Sequence, residues 1–238
     1  MTRAVLFDLD GTLLPMDFDD FMRAYVFSLT RFASRDGFRA IRFLLGYRTA
    51  MRSLENLDGT KTVREAFWDA YYRAVPDGRR DAERECMDFY CTQFRTIGRN
   101  VKSNLFADAT IRALARKGYR LVLATNPVFP RVATLERCRW ARIDHTLFEL
   151  ITTYETFHHL KPDLAYYREV LDRCELDARE CIMVGNNVAE DMVAERLGMD
   201  TFLVTPYLLN PHHVDTNRYR KGTLADLYRF MQALPAAD

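Results

Sequence analysis

The chain lacks a Cys-x-x-Cys pair, an internal repeat, a low-complexity segment and any apolar run long enough to span a membrane. Its five cysteines (Cys86, Cys91, Cys138, Cys174 and Cys181) are dispersed and odd in number. That pattern argues against a zinc site and a disulfide framework, and for reduced thiols in the cytoplasm. Cys181 opens an apolar run and reads as core. An excess of one charge is missing too. Against 34 Lys and Arg stand 33 Asp and Glu, so a net charge of +1 gives no global attraction for nucleic acid. The first apolar run begins at Ala4 and reads as a strand, so no signal peptide is expected. What is present is 48% hydrophobic and 28% charged residues over 238 positions, enough for one large or two modest domains with a substantial core.

Asp8 and Asp10 stand two residues apart at the end of Ala4-Val5-Leu6-Phe7 and lead into Gly11-Thr12. The apolar run reads as a parallel strand buried on both faces. Residues two apart in a strand project to the same side, so both carboxylates can flank one small site. Gly11 lets the chain turn away tightly, and Thr12 offers a hydroxyl there. A nucleophilic carboxylate beside a proton-carrying one suits phosphoryl transfer to an aspartate. The alternative is a pair of solvated acids before a turn.

From about Asp17 to Ile97 only helical periodicity is evident. Phe18, Phe21, Met22, Tyr25, Leu29 and Phe32 form one apolar stripe, and Val63, Ala66, Phe67, Ala70, Tyr71 and Ala74 form another. Thr62 and Glu65 are spaced as a capping box for the second. Ala82, Cys86, Phe89, Tyr90, Phe94 and Ile97 make a third stripe, and Phe38, Ile41 and Leu45 a less regular one. Such helices bury their stripes against one another, as a small bundle. From Asp108 onward, strands at Leu121–Ala124, Leu150–Thr152, Ile182–Val184 and Phe202–Val204 alternate with helical stretches. Alternation of this kind predicts right-handed crossovers and a parallel sheet covered on both faces. The reading is an α/β core over residues 1–15 and 101–238, interrupted by a helical domain over 16–100. Junctions are expected near Leu14–Met16 and Gly98–Asn104.

Ligands of open parallel sheets collect at the carboxyl ends of the strands. After the second core strand stands Thr125-Asn126-Pro127, a hydroxyl and an amide that can cradle phosphate, or an ordinary turn. Lys161-Pro162-Asp163 precedes a helix carrying Tyr166, Val170 and Leu171 inward. A cation at the positive end of a helix implies an anionic partner, unless the lysine is simply solvated. After the Ile182 strand, Gly185-Asn186-Asn187 leads into a helix whose first residues include Glu190 and Asp191, acids that can also serve only as dipole complements.

Taken in this order, Asp8-x-Asp10-Gly11-Thr12, Thr125-Asn126, Lys161-Pro162-Asp163 and the Gly185 turn resemble the haloacid dehalogenase superfamily. More narrowly they are similar to its phosphoglycolate-phosphatase-like members, which carry a helical cap after the first strand. The resemblance covers the whole chain and implies a Rossmann-like core with strand order 5-4-1-2-3. It implies that Asp8 attacks phosphorus to form an aspartyl-phosphate, and that Asp10 protonates the leaving oxygen and then activates water. Thr125 and Lys161 would hold the phosphoryl oxygens, with Gly11, Thr12 and Asn126 also lining the substrate site. Mg²⁺ would be held by Asp8, the main-chain carbonyl of Asp10, and the Gly185 turn. One departure stands out: members usually carry Asp where this chain has Asn186, and Asp191, with Glu190 as second choice, is expected to supply the missing charge. The implied activity is an Mg²⁺-dependent phosphatase of a small phosphorylated metabolite. A phosphoglucomutase-like phosphotransferase and a catalytically weak phosphate-binding protein are the alternatives. A dehalogenase is disfavoured, since those members lack the acid at the position of Asp10.

Further signals are weaker. Seven arginines and one acid, Asp36, lie between Arg23 and Arg52, read as a solvated helix face. His158-His159 and His212-His213 read as loop residues and not ligands. Leu54–Thr60 is the expected specificity loop, and Tyr207, Arg218 and Tyr219 belong to a loop bordering the site.

Overall fold

The computed structural model describes residues 2–33, 39–76 and 81–237. Strand β1 (Ala4–Phe7) lies at the centre of a six-stranded sheet in which every pairing is parallel. Its neighbours are β2 (Arg120–Leu123) and β4 (Cys181–Gly185); β3 (Leu150–Ile151) lies beyond β2, and β5 (Asp200–Val204) and β6 (Lys221–Gly222) lie beyond β4. The five expected strands stand in the expected order. The two-residue β6 is an addition, too short to show a pattern in sequence.

Alternate residues of each strand feed two different cores, as a two-faced sheet requires. Val5 and Phe7, Leu121 and Leu123, and Ile182 and Val184 face one cluster; Ala4 and Leu6, Val122 and Ala124, and Cys181 and Met183 face the other. The second cluster is closed by α7 (Leu164–Cys174) through Tyr166, Tyr167 and Val170. The first is covered by α5 (Leu105–Arg116), α6 (Arg131–Ala141) and α8 (Leu224–Ala233), and it runs without a break into the helices that follow β1.

Those helices are α1 (Phe18–Ala33), α2 (Arg39–Ser53), α3 (Val63–Ala74) and α4 (Ala82–Thr92). Tyr25 of α1 sits fully buried among Phe21, Phe89, Tyr90, Phe94 and Phe129. Its hydroxyl is satisfied by those of Tyr47 at 3.0 Å and Tyr90 at 2.6 Å. The Thr62–Glu65 capping box closes α3 as expected. The first two N–H groups of that helix, from Val63 and Arg64, donate to the carbonyls of Phe157 and Tyr154, each at 2.8 Å.

Three expectations are corrected. Ile41 and Leu45 do not face inward: they are exposed, and Phe43, Gly46 and Ala50 are buried residues of α2. The third member of that stripe, Phe38, lies outside the described residues, as does Asp36. Ala74 closes the α3 stripe on the exposed side. The Gly185 turn leads not into an α-helix but into a turn followed by a short 3-10 helix, Met192–Leu197, so Glu190 and Asp191 stand before the helix. Among the described residues no helix is long and apolar enough to cross a membrane.

Candidate active site

The register of the three central strands assembles the site. Phe7 pairs with Leu123 on one side and Val184 on the other, so Asp8, Thr125 and Asn186 emerge at the same edge. Beyond β1 the chain folds back through hydrogen bonds from Gly11 N to Leu14 O and from Leu14 N to Leu9 O, each 2.8 Å. Gly11 has φ of +78°, and a Cβ there would meet Asn186 Nδ2 at 2.2 Å, so no other residue fits that turn.

Asp8 is held from two sides. Lys161 Nζ lies 3.1 Å from its Oδ1, and the Thr12 hydroxyl lies 3.2 Å from its Oδ2. The Thr12 hydroxyl is also 3.1 Å from Asn186 Oδ1 and has one proton for the two acceptors. Lys161 is 4% exposed, and its ammonium donates to Asp191 Oδ1 at 2.6 Å as well. The anionic partner expected for this lysine is therefore a pair of carboxylates. Burial alone would lower its pKa, but Asp191 and Asp8 raise it well above the ordinary lysine value.

The other acids are crowded, Asp191 buried and Asp10 and Glu190 partly so. Burial pushes the Asp10 carboxyl up to about 6, with Arg137 opposing and Asp8 adding to the rise. Burial likewise lifts Asp191 to about 6 against the pull of Lys161, and Glu190 to about 7 with a contribution from Asp191. Asp191 Oδ2 accepts the Asn187 N–H at 2.9 Å, and Glu190 Oε2 accepts from Asn126 Nδ2 at 3.2 Å. Asn126 also receives the Lys161 N–H on its Oδ1 at 3.3 Å, which ties the lysine loop to the end of β2. Thr125 is fixed through its carbonyl, which accepts from Thr152 Oγ1 at 2.5 Å and from the Tyr166 hydroxyl at 3.0 Å.

These groups line one cavity of about 110 Å³, whose wall includes Asp8, Asp10, Thr125, Asn126, Asn186 and Asp191. Glu190 and Asn187 join them, with Phe18, Phe129 and Leu209 on the apolar side. Among the described residues no three metal-binding side chains already converge on one point. Asp8 and Asp191 converge instead on the lysine ammonium. The donor set nevertheless suits a hard divalent cation, since the candidates, Asp8, Asn186, Asp191 and Glu190 and the main-chain carbonyl of Asp10, all offer oxygen. Asn186 is already engaged, with Nδ2 donating to Tyr207 O at 2.6 Å and Oδ1 near Thr12. One lone pair of that oxygen remains for an ion.

Arg137 was not singled out by its sequence. It is fully buried on α6, pairs through Nη1 with Asp10 Oδ2, donates to Thr134 Oγ1 at 3.2 Å, and lies 4.5 Å over the Phe129 ring. A signal was available: Ala133, Thr134, Arg137, Cys138 and Ala141 form the buried face of α6, and an arginine on such a face needs a partner. Of the late loop, Tyr207 touches the site through its carbonyl. Arg218 and Tyr219 line a separate cavity with His212 and Asn210. His158 is spoken for by Glu169, 2.8 Å away.

A model of the haloacid dehalogenase-like hydrolases matches residues 2–198. The chain belongs to that family of hydrolases. It is 28% identical over 129 residues to a glyceraldehyde 3-phosphate phosphatase of Methanothermobacter thermautotrophicus, a match covering 53% of this chain. The chain spans 56% of the length of that curated relative. Among solved structures, a 2-haloacid dehalogenase from Pseudomonas syringae pv. Tomato DC3000 superposes with a TM-score of 0.66 at 19% identity, covering 96% of this chain and 97% of that one. A predicted phosphoglycolate phosphatase from Haemophilus somnus 129pt gives 0.60 at 17% identity, covering 97% and 98%. At such identities the likeness is one of fold.

Proposed function

We propose that the chain is a phosphomonoesterase that moves the phosphoryl group of a small metabolite onto Asp8 and then to water. The observation that carries this reading is the Asp8 carboxylate held between Lys161 and Thr12 in the wall of a small cavity that also contains Asp10. A free Asp8 oxygen lone pair attacks phosphorus as the bond to the leaving oxygen breaks, and the protonated Asp10 carboxyl gives its proton to that oxygen. Asp10, now ionised, takes a proton from water, whose oxygen attacks the acyl phosphate and releases Asp8 and phosphate. A carboxyl raised to about 6 is matched to both tasks near neutral pH. Lys161, 3.1 Å from Asp8, offsets repulsion between that carboxylate and a dianionic ester. Thr125, fixed through its carbonyl, presents its hydroxyl to a phosphoryl oxygen.

Asp8, the main-chain carbonyl of Asp10, Asn186 and Asp191, with Glu190 behind them, would hold Mg²⁺. The ion would supply charge compensation and polarise the phosphoryl oxygens. Asn186 also supports a second reading, a catalytically weak phosphate-binding protein, because its amide is uncharged and engaged at both ends. A cytoplasmic setting belongs to the main reading and is supported by five free cysteines. Hydrolysis of an aryl phosphate with Mg²⁺ separates the two readings. Asp8→Asn should cut kcat by about 10³-fold or more, on the scale of losing a catalytic nucleophile. Equal low rates in both proteins would favour the binding reading.

A further inference from the structure

The cavity that holds the acids shares Asn126 and Val128 of its wall with a second one of about 430 Å³. One wall of this cleft comes from the end of α2 and the turn after it, through Met51, Leu54, Glu55 and Leu57; the facing wall comes from Val128 and the segment His159–Asp163. A phosphoryl group seated at Asp8 would direct the rest of its ester into this space.

The chemistry of the cleft is uneven. Met51, Leu54, Leu57, Val128 and Leu160 supply an apolar lining on both sides. Among the described lining residues Lys161 is the sole lysine or arginine, and its ammonium is already shared by Asp8 and Asp191 at 3.1 and 2.6 Å. Glu55 and Asp163 line the same space as acids, Asp163 already accepting the Ala165 N–H at 2.8 Å as the cap of α7. Apart from the Asn126 amide and the His159 ring, a second phosphate or a carboxylate on the substrate would thus meet acids and hydrocarbon, neither of which replaces the water it gives up. A volume of about 430 Å³ also falls within the roughly 300–1,000 Å³ typical of pockets that enclose a whole organic ligand. A three-carbon fragment would leave most of it empty.

From this we infer that the leaving group is a neutral, carbon-rich alcohol, and that esters bearing a second anionic group are rejected. The inference rests on the phosphomonoesterase reading for its seat at Asp8, and goes beyond it in naming the substrate class. It also sets this chain apart from a phosphoglycolate phosphatase, whose substrate carries a carboxylate.

The test uses the full chain with Mg²⁺ and alkyl phosphates of nearly constant leaving-group basicity: ethyl, n-butyl and n-hexyl phosphate, against 2-phosphoglycolate and 3-phosphoglycerate. The value of kcat/KM should rise about fourfold per added methylene, the factor expected for burying each CH₂. It should be about 100-fold lower for the acid-bearing esters than for neutral ones of similar length, the size of a like-charge contact at close range in a partly shielded site. Leu57→Asn should flatten the chain-length dependence, and Glu55→Gln should narrow the gap between acid-bearing and neutral esters about tenfold. A flat chain-length series, or acid-bearing esters turned over as well as neutral ones, overturns the inference. Calorimetric binding of the same esters to Asp8→Asn repeats the comparison without turnover. A protein that hydrolyses none of them but binds n-hexyl phosphate above 2-phosphoglycolate keeps the inference and loses the phosphomonoesterase reading. The opposite binding order sinks the inference alone.

Discussion

Arg137 and Asp10 form a buried ion pair that joins α6 to the loop after β1, with Arg137 wholly enclosed and its guanidinium resting on Phe129. The pair sits where the catalytic candidate meets the aromatic cluster of the inserted helices. Removing the arginine would strand an acid in a dry pocket whose Oδ1 already lacks a partner.

Arg137→Met is therefore expected to lower stability by about 3–5 kcal/mol, the usual cost of breaking one side of a buried pair. In Arg137→Met/Asp10→Asn, much of that loss should return, because no uncompensated charge remains. Urea unfolding of the two single variants and the double variant measures the coupling. Strict additivity would show that the contact is energetically idle.

Asp191→Asn tests the source of the charge that Asn186 does not provide. If Asp191 serves the cation, the Mg²⁺ concentration giving half-maximal activity should rise at least tenfold, as expected when a carboxylate ligand becomes neutral. Glu190→Gln should shift it less. An unchanged Mg²⁺ titration in Asp191→Asn would assign that acid only to Lys161.

The stability of the metal-free protein should fall as pH rises from 5 to 8. Asp10, Asp191 and Glu190 have folded pKa values raised to about 6, 6 and 7, above their unfolded values near 4. Their contribution is thus complete below about pH 4 and is lost as pH climbs through 6 to 7. Acids with lowered values, such as Asp177 at about 2, act in the opposite sense, but below pH 4. In EDTA, the Tm at pH 8 should lie about 5 °C or more below that at pH 5, and added Mg²⁺ should restore more at pH 8 than at pH 5. A melting temperature that climbs through this interval would contradict the assignment.

Thiol labelling should be strongly selective. Cys91 is exposed, whereas Cys86, Cys138, Cys174 and Cys181 are buried, with burial pushing each of those thiols up to about 12. At pH 8 the native protein should react at Cys91 within minutes and at the others only on unfolding. Mass spectrometry after iodoacetamide treatment reads the count directly. Rapid modification of Cys138 would mean that α6 opens locally.

Much of this architecture could be read from the chain itself, because its signals are local. Ala4–Phe7 is apolar on both faces and can only be a central strand. Thr62 and Glu65 satisfy their own helix end. Asp8, Asp10, Thr125 and Lys161 each follow a strand or precede a helix at a recognisable turn. The inward face of α2 was not legible, since its sequence carries apolar residues all round and the choice depends on the partner. What decides it is Gly46, where a Cβ would meet Tyr71 and Val75 at 2.7 Å, so that α3 lies directly against the Phe43, Gly46 and Ala50 face. Arg137 was hidden for a similar reason: one arginine among several on a short helix reveals its role only when Asp10 is brought beside it by the fold.

The hydrogen bonds from Val63 and Arg64 to Phe157 and Tyr154 give the inserted helices a grip on the segment that runs on to Lys161. If α3 lifts away from the sheet, these two links must be traded for water, at about 1 kcal/mol each, or the segment must travel with the helix. In the second case the ammonium that steadies Asp8 would be withdrawn by the same stroke that admits a ligand. Access and chemical readiness would then be geared together through the main chain.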